Sequence, residues 1–224
     1  MTEIPADTEG AHESFIGILL FDVIDAIERH GGAGSQSSKR DLIRTGFAAI
    51  EGVAWIFREH IVDAARTTSN LDPAEEVALS EISYQVTEQG KITGQTKYLS
   101  LIATIRLTAR IAEKLSPDVK IDFSESGWVG LQQAIKVRNR ITHPKSRFDL
   151  VLSDEEVRTS VGALFWLLEE VERVMAAANV AIKEYLVKFS EILTQLKKGD
   201  PAILAEYQAA ADALQENGRR SIQP

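Results

Sequence analysis

The chain predicts an all-α fold, a helical bundle that carries a long helical extension at its C-terminal end. Two observations predict it. Apolar residues recur at three- and four-residue intervals through most of the 224 positions. The periodic stretches also stop at glycine-rich breaks or begin at helix-capping residues.

The elements follow in order. Residues 1–12 read as a tail without a packed face. Ser14 to His30 has apolar residues at Phe15, Ile18, Leu19, Val23, Ile24 and Ile27, a helical period. Gly31 to Ser38 is a flexible breaker. A long helix runs from Lys39 to Arg66, with Leu42, Gly46, Ala49, Val53, Ile56, Phe57 and Ile61 on its inner side. Asp72-Pro73 is an N-cap followed by proline at the first helical position, opening a shorter helix to Thr87. Glu88 to Thr96 contains Gly90 and Gly94 and reads as a loop. Lys97 to Leu115 is helical and ends before Ser116-Pro117.

The next helix begins near Ser124 and ends at Ile141 or Thr142. Leu131, Ala134, Ile135, Arg138 and Ile141 share one face, so Arg138 points inward, while Lys136 and Arg140 point outward. His143 precedes Pro144, which disfavours helical backbone, so the histidine should leave the helix there. Ser153 and Glu156 form a capping-box pattern at the start of a further helix. Its stripe from Val157 to Leu196 alternates four and three. A helix of about 44 residues would be some 66 Å long, more than a compact bundle of this size needs. Its second half is therefore expected to extend beyond the core, to break, or to pair with another chain. Gly199-Asp200-Pro201 ends it, and an alanine-rich helix follows from Ala202 to Gln215. The expected divisions are 1–12 tail, 13–175 bundle, 176–216 extension and 217–224 tail.

Composition narrows the chemistry. The absence of cysteine excludes disulfides and thiolate catalysis. The acidic start does not read as a signal peptide, and the apolar run Phe15–Phe21 is too short to span a bilayer. A soluble cytoplasmic protein is expected. The net charge of −8 argues against broad electrostatic binding of nucleic acid. Its distribution is uneven: between Lys91 and Arg147 there are eleven basic and four acidic residues, so +7 there faces −15 elsewhere. No Walker or dinucleotide glycine loop, HExxH, EF-hand loop or GxSxG occurs. The Glu-x-x-His at Glu9–His12 stands alone, whereas a di-iron bundle needs two. No metal site or cofactor is expected. Trp55, Trp128 and Trp166 fall in apolar stripes and read as core.

Inside the basic island lies Val137-Arg138-Asn139-Arg140-Ile141-Thr142-His143-Pro144. An imidazole moves protons near neutral pH, and a guanidinium grips a phosphate in two places. Each residue also has a plain structural reading. Arg138 could pair with an acid on a neighbouring helix, and His143 could be a cation at a helix C-terminus.

Arg138-Asn139-Arg140-Ile141-Thr142-His143 resembles the defining motif of the HEPN superfamily, the higher eukaryotes and prokaryotes nucleotide-binding domains. That motif is an arginine, a polar residue after it, and a histidine beyond a short gap, here the four residues Asn139 to Thr142. The resemblance covers residues 14–175. It implies a dimerising helical bundle whose two motifs face each other, and a metal-independent endoribonuclease of a toxin–antitoxin or phage-defence system. Arg138 and His143 would be catalytic and Asn139 a positioning residue of that site. Lys136, Arg140, Lys145 and Arg147 would bind substrate. The implied partners are RNA, a second copy and an antitoxin or other protein, with no membrane. The alternative is a non-catalytic helical interaction module or a nucleotide-binding regulator. The breaker at 31–38, the helical extension and the acidic periphery depart from the family pattern.

Overall fold

A computed structural model of the chain describes residues 14–220. The readings of residues 1–12, of Glu9–His12 and of the last four residues lie outside that range. The described residues form seven α-helices and one two-stranded hairpin, an all-α fold with a small appendage.

Helix α1 (Phe15–Ala33) starts behind Ser14, whose hydroxyl accepts the Gly17 amide. It ends at Gly34, which takes the left-handed conformation (φ +56°) and donates its amide to the His30 carbonyl. Ser35 immediately caps α2 (Gln36–Thr67) by accepting the Ser38 amide. The predicted breaker of eight residues is therefore only Gly34 and Ser35. Helix α2 is the axis of the bundle, burying Leu42, Ile43, Phe47, Ile50, Phe57 and Ile61. It packs against α1, against α4 (Leu101–Leu115) and against α5 (Ser126–Thr142). Helix α5 begins behind Glu125 rather than Ser124.

The region after Asp72 departs from the sequence reading. Helix α3 (Pro73–Leu79) stops eight residues before Thr87, and no loop runs from Glu88 to Thr96. Instead β1 (Ile82–Val86) and β2 (Ile92–Thr96) pair antiparallel, with Tyr84 opposite Gly94 and Val86 opposite Ile92. The reason is local. Ile82, Tyr84 and Val86 alternate with Ser83 and Gln85, and β-branched and aromatic residues favour strands. Gly90, at φ +74°, supplies the turn.

A short 3₁₀ turn (Arg147–Leu150) connects α5 to α6 (Asp154–Lys197). The capping box forms: the Ser153 amide donates to Glu156, and the Glu156 amide donates to the Ser153 hydroxyl. After Gly199 (φ +74°) comes α7 (Pro201–Arg220), six residues longer than expected, one at its start and five at its end.

The chain divides into two compact units after Ala178. The first has a continuous apolar core, with Phe57, Ile105, Trp128, Leu131, Leu164 and Leu167 all but inaccessible. The second contains the rest of α6 together with α7, and large apolar side chains stay exposed along it. Of the three tryptophans, Trp128 is core, Trp166 is half-buried and Trp55 is 49% exposed. The core reading of Trp55 is therefore corrected. Its indole meets the Phe15 ring edge to face, with the ring centroids 5.8 Å apart. Among the described residues no helix is long and apolar enough to cross a membrane.

Candidate functional site

The C-terminal end of α5 carries the motif, and two neighbouring segments hold it in place. Leu131, Ala134 and Ile141 are buried and seat the helix against the core. The last turn closes with the His143 amide donating to the Asn139 carbonyl and the Thr142 hydroxyl to the Arg138 carbonyl. His143 then leaves the helix at φ −123°, ψ 58°, as the following proline requires. A helix end leaves carbonyls without partners. Arg44 of α2 donates to one of them, on Ile141, at 3.3 Å.

The segment after the motif is fastened to the same face of α2. Gln36 exchanges two hydrogen bonds with the Leu152 backbone, at 2.7 and 2.8 Å. Lys39 donates to the Leu152 carbonyl and pairs with Asp154 at 2.6 Å. Arg40 donates to the Leu150 carbonyl at 2.9 Å. Asp149 accepts the amides of Lys145 and Ser146, both at 2.8 Å, and thereby fixes the backbone just beyond His143-Pro144. Those amide donors, Lys145 first, hold the Asp149 carboxyl below the usual aspartate range. The hydrogen bond from Lys39, with its charge, does the same for Asp154.

Arg138 lies at the edge of the inward face rather than within the core. Its side chain is 32% exposed, and its guanidinium pairs at 2.8 Å with Glu51 of α2, itself 51% exposed. A second nitrogen donates to the Asn139 side-chain oxygen at 3.2 Å, and the cation stands 6.0 Å from the Phe47 ring centroid. Asn139, Glu51 and Phe47 therefore orient the fork together. An ion pair this open is worth about 0–1 kcal/mol, so an incoming phosphate can replace the carboxylate. A buried pair would be costly to break. His143 is exposed, and among the described residues its ring makes no hydrogen bond.

The four cations read as substrate-binding divide. Lys136, Lys145 and Arg147 are exposed and carry no ion pair among the described residues. Arg147 stands 4.9 Å from the Phe148 ring centroid. Arg140 does not fit that role. Its guanidinium pairs with Glu156 at 2.8 Å and donates to the Val151 carbonyl at 3.3 Å, and its Nε is buried without a partner. Arg140 does point outward, its side chain 35% exposed, but there it meets the return segment Val151–Glu156 and ties two helices together.

Sequence reasoning missed Arg44, Phe47 and Glu51. With Arg40 they are spaced four, three and four, one face of α2 that mixes charge with an aromatic ring. That pattern was the available signal. A separate groove of about 830 Å³ lies at the other end of α5, lined by Gly127, Gly130, Thr159, Gly162 and Trp166 among others. No residue of the motif lines it. Comparison with protein-family models, with curated proteins and with solved structures finds no match to this chain.

Proposed function

We propose that the chain is a metal-independent endoribonuclease of the HEPN type, a cytoplasmic toxin or phage-defence effector with RNA as its substrate. The observation that carries the reading is the state of Arg138. It is a half-exposed guanidinium, oriented by Asn139 and Glu51 at a helix end, with an exposed imidazole on the next turn that makes no hydrogen bond among the described residues. In RNA the 2′-oxygen attacks the adjacent phosphorus and the bond to the 5′-oxygen breaks. One proton leaves the 2′-hydroxyl and one reaches the departing 5′-oxygen. Arg138 would stabilise the charge that grows on the phosphoryl oxygens. His143 would transfer a proton, an effect of about 10²–10⁴ in rate.

One imidazole serves poorly as both base and acid, and a second copy would bring the other. Lys136, Lys145 and Arg147 would hold the flanking phosphates, and binding through them would weaken as salt rises. The test is cleavage of RNA in the presence of EDTA, with product analysis. A 2′,3′-cyclic phosphate that disappears with His143→Ala supports the assignment. Cleavage that requires an added divalent ion, or that survives the substitution, removes it.

A second reading, a non-catalytic helical interaction module or a nucleotide-binding regulator, is favoured by the Glu51 pair, because Arg138 already has an anionic partner. Under that reading Glu51→Gln releases Arg138 and lowers stability, with no RNA cleavage in either protein. An antitoxin or other protein partner would cover the same end of α5.

A further inference from the structure

We infer that Trp55, with Phe15 beside it, is a stacking platform for a nucleobase of the RNA strand that Arg138 would grip. The platform extends the ribonuclease reading and rests on it. The face of α2 that carries Arg40, Arg44, Phe47 and Glu51 continues to Trp55, four positions further on. Arg44 reaches the Ile141 carbonyl and Glu51 reaches Arg138, so α2 and α5 run antiparallel there. His143, Arg138 and Trp55 therefore come in that order along the axis of α2. Four residues of helix advance about 6 Å. The indole thus follows the Glu51–Arg138 pair by about one turn, on the side away from the imidazole.

Local packing sets the pair of rings in place. Gly52 is buried and lets the first turns of α1 lie close to α2: an added Cβ would run into the Leu19 side chain and fall 3.4 Å from the Phe15 ring. Phe15 then meets Trp55 at 76°, and the two residues stay 53% and 49% exposed. Two chemistries side by side select the occupant. A guanidinium with an exchangeable partner takes a phosphate, and an open aromatic ring takes the flat face of a base. A nucleotide carries both within a single residue. Glu59, one turn beyond Trp55, is paired with Arg58 at 3.1 Å, which offsets its charge toward the strand. Every base has a flat face, so the platform should hold the strand without choosing its sequence.

The probe is a fluorescent single-stranded 2′-O-methyl oligonucleotide, which lacks the attacking hydroxyl, titrated with the full chain at fixed salt and read by anisotropy. Trp55→Ala should raise its Kd about 10–100-fold, with helical circular dichroism unchanged, and Trp55→Phe should keep most of the affinity. Phe15→Ala should give a smaller loss in the same direction, and it carries the test should Trp55→Ala fail to fold. The slope of log Kd against log salt should not change, because no phosphate contact is lost. A second strand without bases keeps the phosphates, and the wild-type and Trp55→Ala chains should bind it equally weakly. An unchanged Kd for the base-bearing strand, an equal loss on the abasic strand, or no binding by the wild-type chain would each overturn the platform. Cleavage is scored separately: with cleavable RNA, Trp55→Ala should raise KM and leave kcat. Binding that depends on Trp55 without any cleavage keeps the platform and removes the ribonuclease reading. Cleavage with an unchanged KM in Trp55→Ala does the opposite.

Discussion

The two ends of α5 are held by different forces, and the difference separates what can be lost for stability from what can be lost for function. At the N-terminal end the contacts are mostly aromatic packing, with one hydrogen bond from the Trp166 indole to Glu125 and Arg106 stacked over Phe123 and Trp128. Trp128 is buried against Phe123 and Trp166, and Gly127 lies so close under Trp166 that an added Cβ would fall 2.1 Å from the indole. At the C-terminal end the contacts are hydrogen bonds and ion pairs, from Arg44, Glu51, Asn139, Val151 and Glu156. Close packing gives one end a single rigid position. The polar end keeps its groups wet and exchangeable, as the proposed phosphate-binding role would require. A short motif at a helix end is therefore useful only because the rest of that helix is anchored elsewhere.

The sharpest way to break this contrast is at His143. His143→Ala should lower RNA cleavage by about 10²–10⁴-fold and leave the thermal midpoint within about a degree, because the ring is exposed and makes no hydrogen bond among the described residues. A fall in both together would show that the imidazole is structural. The opposite signature belongs to the other end. Trp128→Ala should cost about 3–5 kcal/mol in denaturant unfolding. At temperatures where the variant is still folded it should cleave RNA at close to the normal rate.

Two arginines sharpen the comparison within the polar end. Arg138→Lys keeps the charge but loses the planar fork. Cleavage should drop about a hundredfold with little change in melting. Arg140→Lys should do the reverse. Lysine cannot reach Glu156 and the Val151 carbonyl together, so about 1 kcal/mol and some 2–4 °C of the melting temperature should go, while the cleavage rate stays. Equal behaviour of the two variants in paired rate and melting measurements would erase the distinction drawn between them.

The smallest effect is on pH. Asp149 is held below the ordinary aspartate range by the amides of Lys145 and Ser146. A depressed folded value means that the loop contact is fully present above the unfolded value of about 3.9. It is lost as pH falls through the still lower folded value. The amide resonances of Lys145 and Ser146 should titrate with a midpoint below that of a free aspartate. A midpoint at or above it would mean that Asp149 does not pin the loop in solution.

Much of the scaffold was legible because helices announce themselves locally. The Ser153–Glu156 capping box, the exit of His143 before Pro144 and the 44-residue span of α6 depend on neighbours within a turn or two. The hairpin at Ile82–Thr96 was misread, although the alternation Ile82, Tyr84, Val86 was present. Gly90 and Gly94 drew the reading toward an irregular loop. Of the motif residues, the placement of His143 at the helix end was readable, whereas the surroundings of Arg138 were not. Glu51 is 87 positions away in the chain.

The sequence by itself determined the all-α class, the order of most helices and the residues that stand at the end of α5. Those follow from a period of three to four residues and from caps that act over one turn. Only the tertiary structure decided that Arg138 meets an exposed carboxylate rather than a buried one. It also turned Arg140, one of two arginines two positions apart, into a tie between helices. The physical reason is that periodicity gives the direction of a side chain from its own axis. What lies in that direction is set by chain segments folded back from far along the sequence, here α2 and the return to α6.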